Sequence, residues 1–367
     1  MSNDTGMMPI ANTREEVAAQ PQVIARVLTE LATQIEALAQ QMAERKINKV
    51  LASGSGDSWF AAQAVRCAWE TYAGVPFEPL QAYEYAAYGR LGDDEQTAHF
   101  IISSSGRPTT TWDALDLALA SGALVVGITD NPAESNPFAT KPSVSLIPRG
   151  SKVGWPAQTT SATIATLISL AIAFGKARGH LSPDEATQIN AQLNAIPEQM
   201  TAVLEQSAAW AETFVATHYE QHSGKRCHYT FVGGGPSFAM AQNGSALLAA
   251  GPQDAGMALT VEEFHHALRI GVVQPEDVVV LIAPQSVVES RCRDTTRVVR
   301  AWGSRLLVIA TPETADLLQA ETDGIILPAV ADAMSPLLTL MPLHALSIAL
   351  AAHKVATGYR RPKTVPQ

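Results

Sequence analysis

The chain has 367 residues, of which 47% are hydrophobic and 16% charged, with a formal net charge of −10. That is enough apolar material for two domains of ordinary size, and the acidic balance argues against non-specific attachment to nucleic acid or to an anionic membrane surface. Its three cysteines, Cys67, Cys227 and Cys292, stand far apart with no CxxC or Cys/His ligand spacing, which argues against a disulfide framework and against a structural zinc site.

The N-terminal MSNDTGMMPIANTREE lacks the basic-then-apolar build of a signal peptide, so a cytoplasmic protein is expected. Residues 14–46, rich in Ala, Gln, Glu and Leu, predict one or two helices. A strand is predicted at 47–52, then the turn SGSGDSW, then a helix to Tyr72. Further strands are predicted at 77–83, 99–103, 123–129 and 144–148, with helical stretches between them. Such alternation is the mark of a parallel sheet covered on both faces. A long helical zone follows at 158–218, broken near Gly179 to Pro183. No window reads as long and apolar enough to cross a bilayer; TTSATIATLISLAIAFGKARG comes nearest, and its hydroxyls suit a buried helix.

The pattern then restarts. HYTFVGGGPSFAMAQ (228–242) repeats the order of KVLASGSGDSWFAAQ (49–63): strand, glycine-rich turn, serine, aromatic, alanine-rich helix. Strands are predicted at 278–283, 305–311 and 324–329, a last helix from Pro336 to Thr357, and a basic tail YRRPKTVPQ. The expected fold is therefore α/β, two doubly wound parallel-sheet domains in tandem. The expected partition is an N-terminal segment 1–19, a first domain 20–180, linker helices 181–220, a second domain 221–358 and a tail 359–367.

The stretch FIISSSGRPTTTWDAL is the most informative. It places Ser103, Ser104, Ser105, Gly106, Arg107, Pro108, Thr109 and Thr110 where a strand stops and a helix begins. Loops at strand carboxyl ends bind ligands in open α/β sheets, and the following helix turns free N–H groups and its positive dipole end toward an anion. Glycine allows close backbone approach and proline suits the first helical turn. A serine-rich turn with a threonine cap explains the same composition. SGSGDSW is a second candidate loop, with Ser55 as a hydroxyl donor, but it has GxG without GxGxxG. No GxxxxGK[ST] occurs, which argues against a P-loop nucleotide hydrolase.

Taken in order, ASGSGDS, ISSSGRPTTT, GWPAQTTSA, VGGGPSFAMAQNGSA, VEEFHHA and a tail lysine resemble the double sugar-isomerase (SIS) domain proteins. These include the isomerase half of glucosamine-6-phosphate synthase and the fructosamine-6-phosphate deglycases. The resemblance spans residues 20–365 and implies two flavodoxin-like domains of SIS type. It implies that Ser103, Ser105 and Gly106 hold a sugar phosphate, with Ser104, Arg107, Thr109 and Ser55 beside it. Pro108 occupies the family's threonine position, so Thr109 would stand in for it. The resemblance further implies that His266 assists ring opening across a homodimer interface with shared active sites, and that Lys363 closes over the substrate. It also implies that neither metal nor cofactor is needed.

A departure accompanies it. Counting sixteen residues back from His266, where the family keeps its proton-shuttling glutamate, lands on Ala250. Asp254, Glu262 and Glu263 are the nearby alternatives, with Glu263 preferred. Arg107 and Lys152 replace acidic family positions and add positive charge beside the expected anion site. Competing readings remain for several residues. His265 competes with His266, Asp57 suits a helix cap, Glu84 suits a buried ion pair, and Arg107 suits a pairing with Asp113. Gly233 to Gly235 suit tight packing, and Trp59, Trp69, Trp112 and Trp155 suit a core as well as a sugar face.

The expected activity is aldose–ketose isomerisation or deamination of a phosphorylated sugar or amino-sugar derivative. Alternatives are a fructosamine-6-phosphate deglycase, an isomerase of a sulfonated sugar, and a non-catalytic sugar-phosphate-binding regulator. No glutamine-hydrolysing domain is read in the chain, so a full amidotransferase is not expected. The expected partner is a small anionic sugar, with no nucleic acid and no membrane.

Overall fold

The computed structural model describes residues 9–89, 93–107, 110–221, 228–266, 273–320 and 323–358, apart from the side chains of 219–221. Its central strands arise from short, largely apolar runs, as a sheet buried on both faces requires. β1 (Lys49–Gly54), β2 (Phe77–Gln81), β3 (Thr97–Ile102), β4 (Leu124–Ile128) and β5 (Val144–Leu146) form one parallel sheet in the order β2-β1-β3-β4-β5. β6 (Tyr229–Gly233), β7 (Gly256–Thr260), β8 (Val278–Ala283), β9 (Arg305–Ala310) and β10 (Gly324–Ile326) form a second in the order β10-β9-β8-β6-β7. Both are the doubly wound, flavodoxin-like arrangement expected from the sequence. The winding direction reverses between β1 and β3 in one sheet, and between β6 and β8 in the other.

The chain divides into two compact units. One comprises Ala19–Ser151 and Gln158–Glu198; the other holds the residues up to Ala18, Lys152–Ala157 and those from Gln199 onward. The first unit carries α2 (Gln20–Glu30), α3 (Ala32–Glu44), α4 (Asp57–Ala68), α5 (Ala82–Tyr88), α6 (Thr111–Leu119), α7 (Pro137–Thr140) and α8 (Gln158–Ala177). α8 packs against α2, α3 and α4 and is buried on nearly every face. Trp69 anchors this core, with ring centroids 5.4 Å from Phe77, 5.3 Å from Phe100 and 6.1 Å from Phe174. Pairs of this kind contribute about 0.5–1.5 kcal/mol each beyond their area.

The second unit carries α1 (Ile10–Ala18), α10 (Pro236–Ala250), α11 (Glu289–Trp302) and α12 (Pro336–Ala356). α9 (Pro183–Gln221) runs through both, and the units divide one residue beyond its internal Pro197. α1 grips the segment before α8. The Glu16 carboxylate accepts the Val153 and Gly154 N–H groups at 2.6 and 3.0 Å, and Thr13 Oγ1 accepts that of Trp155 at 3.2 Å. Trp69 and Trp155 are both core residues, fully buried.

Three expectations are corrected, and Asp254 is placed. The N-terminal helical zone is three helices, α1 to α3, because the chain breaks at Ala19 and Leu31. β7 was not foreseen: it is a partly exposed sheet-edge strand following the Gly251–Pro252 turn, so it lacks a continuous apolar run. α10 stops at Ala250, so Asp254 lies beyond the helix. Two helices, Gln158–Ala177 and Pro336–Ala356, are long and apolar enough by length and composition to cross a membrane, with a mean hydropathy of 1.4. Each has 78% of that window buried inside the protein, which suits core helices.

Burial gives a pH dependence. His344 in α12 is fully buried with Nε2 near the Pro156 carbonyl oxygen at 3.3 Å, and burial lowers its pKa from 6.5 to about 4. The folded value lies below the unfolded one, so the stabilisation is present above pH 6.5 and is lost as pH falls toward 4. The gap corresponds to about 3 kcal/mol. Urea titrations between pH 7 and 4 should show this loss, and His344→Leu should flatten it.

Candidate functional site

The loop after β1 and the loop after β3 face each other where the first sheet reverses its winding, which is where ligands enter open α/β sheets. Ser55 and Gly56 follow β1, and α4 begins at Asp57. Gly56 sits at φ 54° and ψ −126° as the residue before the helix. Asp57 is thus the first helical residue rather than the cap. Ser55 Oγ lies 3.5 Å from Thr111 Oγ1 in α6 and accepts a bond from Gln81 Nε2 at 3.3 Å. Ser55 is exposed at the crevice mouth.

Ser103 to Arg107 follow β3. Two carbonyl oxygens of this loop are occupied. Ser104 O accepts the Asp130 N–H at 3.0 Å and the Thr129 hydroxyl at 3.2 Å, and Ser105 O accepts Asn131 Nδ2 at 3.0 Å. The Ser103 N–H donates to Ile128 O at 3.0 Å. With the acceptors turned toward the β4 loop, the hydroxyls are left over. Ser103 and Ser104 have no side-chain partner among the described residues, while Ser105 Oγ accepts the Arg107 N–H at 3.3 Å and keeps its own proton to donate. Gly106 has φ +64°, and a Cβ there would lie 2.2 Å from Asn136 Oδ1.

Asn136 is itself buried and donates to Thr129 Oγ1 at 3.0 Å and Asn131 O at 2.6 Å. Sequence reading missed Asn131, Asn136 and Gln81 as members of this site. Each lies outside the serine run, and only the two Asn-Pro pairs hinted at structured turns. Arg107 is exposed and makes no ion pair among the described residues, so the anticipated partner Asp113 does not hold it. Glu84 is likewise exposed at the start of α5, not part of a buried ion pair. Trp59 and Trp112 are partly buried. Thr109, Pro108 and Lys363 lie outside the described residues.

The remaining candidates belong to the other unit. A short 3-10 turn, Glu263–His265, follows β7. His265 Nε2 is 3.0 Å from Thr295 Oγ1, whose one proton goes to Arg291 O at 3.0 Å, so His265 is the donor and is pinned to α11. His266 faces out, with its side chain 61% exposed and Nε2 3.3 Å from Glu262 Oε1. Glu262 is held by Arg291 through bonds of 2.6 and 3.0 Å, and these hold its carboxyl below the usual range. Glu263 is exposed, and its carboxylate makes no bond among the described residues. Asp254 is bound to Lys354 Nζ at 2.5 Å, with both side chains 14% exposed. Of the three carboxylates weighed as replacements at the Ala250 position, only Glu263 is unengaged among the described residues.

The second sheet repeats the first but not its cradle. Gly235 precedes α10 at φ 54° and ψ −125°, matching Gly56. The loop after β8 is PQSVV rather than a serine row. Val288 and Val261 crowd Gly234, with Val288 Cγ2 2.7 Å from where its Cβ would lie. Packing therefore explains these glycines. Among the described residues, no three of His, Cys, Asp and Glu gather as a metal cluster.

No family model matches the chain. It is 27% identical over 308 residues to the glutamine–fructose-6-phosphate aminotransferase (isomerizing) of Bacteroides thetaiotaomicron, covering 82% of this chain and 47% of that protein. The chain spans about half the length of the curated relatives it matches. Among solved structures it resembles the C-terminal domain of glucosamine-fructose-6-phosphate aminotransferase from Francisella tularensis, with a TM-score of 0.83, 16% identity, and coverage of 93% of this chain and 95% of that one. It also resembles tagatose-6-phosphate ketose/aldose isomerase from Escherichia coli, with a TM-score of 0.74, 18% identity and 98% coverage of both chains.

Two variants test this geometry. Gly106→Ala should cost about 1–3 kcal/mol, because an alanine is strained at that φ and its methyl would strike Asn136; chemical denaturation reads the loss. Lys354→Met should cost about 3 kcal/mol, because Asp254 would be left as an unpaired buried charge, and Asp254→Asn in the same background should recover part of it.

Proposed function

We propose that this chain, a double sugar-isomerase (SIS) domain protein by homology and fold, is an enzyme that grips a phosphorylated sugar or amino sugar in the β1/β3 crevice and acts on its C1–C2 unit. The observation that carries the reading is the orientation of the serine loop. The carbonyls of Ser104 and Ser105 are bonded to the β4 loop, and in this reading the Ser103, Ser104 and Ser105 hydroxyls donate to phosphate oxygens. Arg107 and the helix start beyond the loop add positive potential without burying a fixed charge. In this reading His266 assists ring opening, Glu263 takes the proton from one of the two carbons and returns it to the other, and Lys363 closes the site. A base matched to neutral pH and held over both carbons is what such a transfer needs. A homodimer that shares its sites belongs to the same proposal.

A second reading has its own support. Ala250 stands at the position from which the family's glutamate works, and Asp254, the carboxylate nearest to it in sequence, is neutralised by Lys354. A protein that binds the phosphosugar without isomerising it would look like this. Arg107, without an ion pair among the described residues, also favours a substrate with a second acidic group, such as an Amadori-type amino-acid adduct or a sulfonated sugar.

Calorimetry with a phosphorylated hexitol should show binding by the wild-type chain, and Ser105→Ala should weaken it at least fivefold with little change in thermal stability. Equal affinity in that variant would remove the serine loop from the site. Turnover of fructose 6-phosphate, of a fructosamine 6-phosphate adduct and of a sulfonated hexose then separates the catalytic readings, and binding with no turnover selects the second one.

A further inference from the structure

The sheet that carries the crevice also buries a polar row that no ligand in the crevice would touch. His99 lies in β3 and is 0% exposed. Its Nε2 is 2.7 Å from Ser53 Oγ in β1, and its Nδ1 is 3.2 Å from Asp93 Oδ2. The same Asp93 oxygen accepts the Tyr85 hydroxyl at 2.6 Å, and the Tyr85 ring stands edge-on to His99 with centroids 4.6 Å apart. On an accessible surface a serine, histidine and carboxylate in this order would make a nucleophile. Ser53 is sealed inside the sheet at 0% exposure, which denies it a substrate.

The proton positions follow from counting donors. A carboxylate only accepts, so the Nδ1 that faces Asp93 carries its proton. A neutral ring then leaves Nε2 as an acceptor, and Ser53 donates to it. Burial makes the ring neutral by lowering the His99 pKa, with Lys49 acting in the same sense against the bond to Asp93. Burial pushes Asp93 up, but its bonds to His99 and Tyr85 outweigh this and hold it below the usual range. The row thus runs Tyr85, Asp93, His99, Ser53, from α5 through the segment before β3 and across the sheet to β1.

Ser53 stands two residues before Ser55. α5 is tied to that corner a second time through Gln81, whose Oε1 accepts the Glu84 N–H at 2.8 Å and whose Nε2 donates to Ser55 Oγ at 3.3 Å. The flanking β3 residues Ala98, Phe100, Ile101 and Ile102 are apolar and buried. An apolar residue at position 99 over an alanine at 53 would complete this core without desolvating four polar groups. The row is continuous through Asp93 Oδ2, while Asp93 Oδ1 is buried with no partner among the described residues, so the row adds geometric definition more than net stability.

We propose that His99 is a positioning residue for the crevice: through Ser53 it fixes the end of β1 and hence the Ser55 corner relative to α5. The consequence for ligand binding rests on the proposed phosphosugar reading, but the positioning itself is measurable without ligand. Amide hydrogen exchange of Ser55, Gly56 and Asp57 in the ligand-free chain should be about tenfold faster in Ser53→Ala and in His99→Phe, while Ala165 in α8 keeps its wild-type rate. The double variant should be no faster than either single one, because one missing link severs the row. Unchanged exchange at the Ser55 corner, acceleration spread equally to α8, or losses that multiply in the double variant would each overturn the proposal. Should His99→Phe not fold, Tyr85→Phe removes one hydroxyl at the far end and is read in the same way. Affinity for a phosphorylated hexitol should fall by a similar factor in the variants that show faster exchange. Faster exchange in a chain whose wild type binds no phosphohexitol would support the positioning and fault the phosphosugar reading instead.

Discussion

The site depends on where the serine-loop carbonyls go. A loop of small polar residues at a strand end has as many acceptors as donors, and an anion is repelled by the former. Here Thr129, Asp130 and Asn131, from the neighbouring loop, take the carbonyls of Ser104 and Ser105. Asn136 packs beneath Gly106 and bonds to Thr129 and Asn131 at once, so the arrangement is braced from below. What remains unengaged among the described residues is the Ser103 and Ser104 hydroxyls and the Ser105 hydroxyl proton, on a backbone whose Ser104 and Ser105 oxygens are held away. This is the condition for holding an oxyanion with neutral groups, since preorganised donors are not opposed by nearby dipoles of the wrong sign.

The same architectural rule operates twice with different results. Both sheets wind in one order, and both place a glycine of nearly identical φ and ψ ahead of the helix that follows the first strand. Only one of the two reversal points carries a row of consecutive hydroxyls. In the other, Val261 and Val288 fill the space beside Gly234. A duplicated fold is thus preserved by the hydrophobic demands of its strands, whereas the two reversal points differ in a handful of loop residues.

The arrangement around the end of α10 bears on chemistry in the opposite sense. An alanine cannot move a proton, and the neighbouring Asp254 is bound to Lys354 in a largely dehydrated setting. Glu262 is committed to Arg291 and His265 to Thr295. Glu262, Glu263 and His266 are the exposed polar groups of that turn, and with Glu262 held by Arg291 any acid–base work contributed from it falls to Glu263 and His266.

Much of the fold was legible in the sequence, because a parallel strand covered on both faces must be a continuous apolar run and the helices between such runs are long. The serine loop was legible for a local reason too: its residues are consecutive and unlike any core segment. β7 was not, since an edge strand with one partner needs only part of that apolar character. The tertiary structure alone decided which atoms of the serine loop are spent, because their partners lie some 26 residues away along the chain. It alone brought Ser53, Asp93, Tyr85 and His99 into one row, because hydrogen bonds across a sheet join residues by register and not by proximity in sequence. Composition and periodicity determined the two sheets and the place of the crevice; the direction in which the polar groups of the row point was settled by packing between strands, where a buried donor left without an acceptor costs free energy.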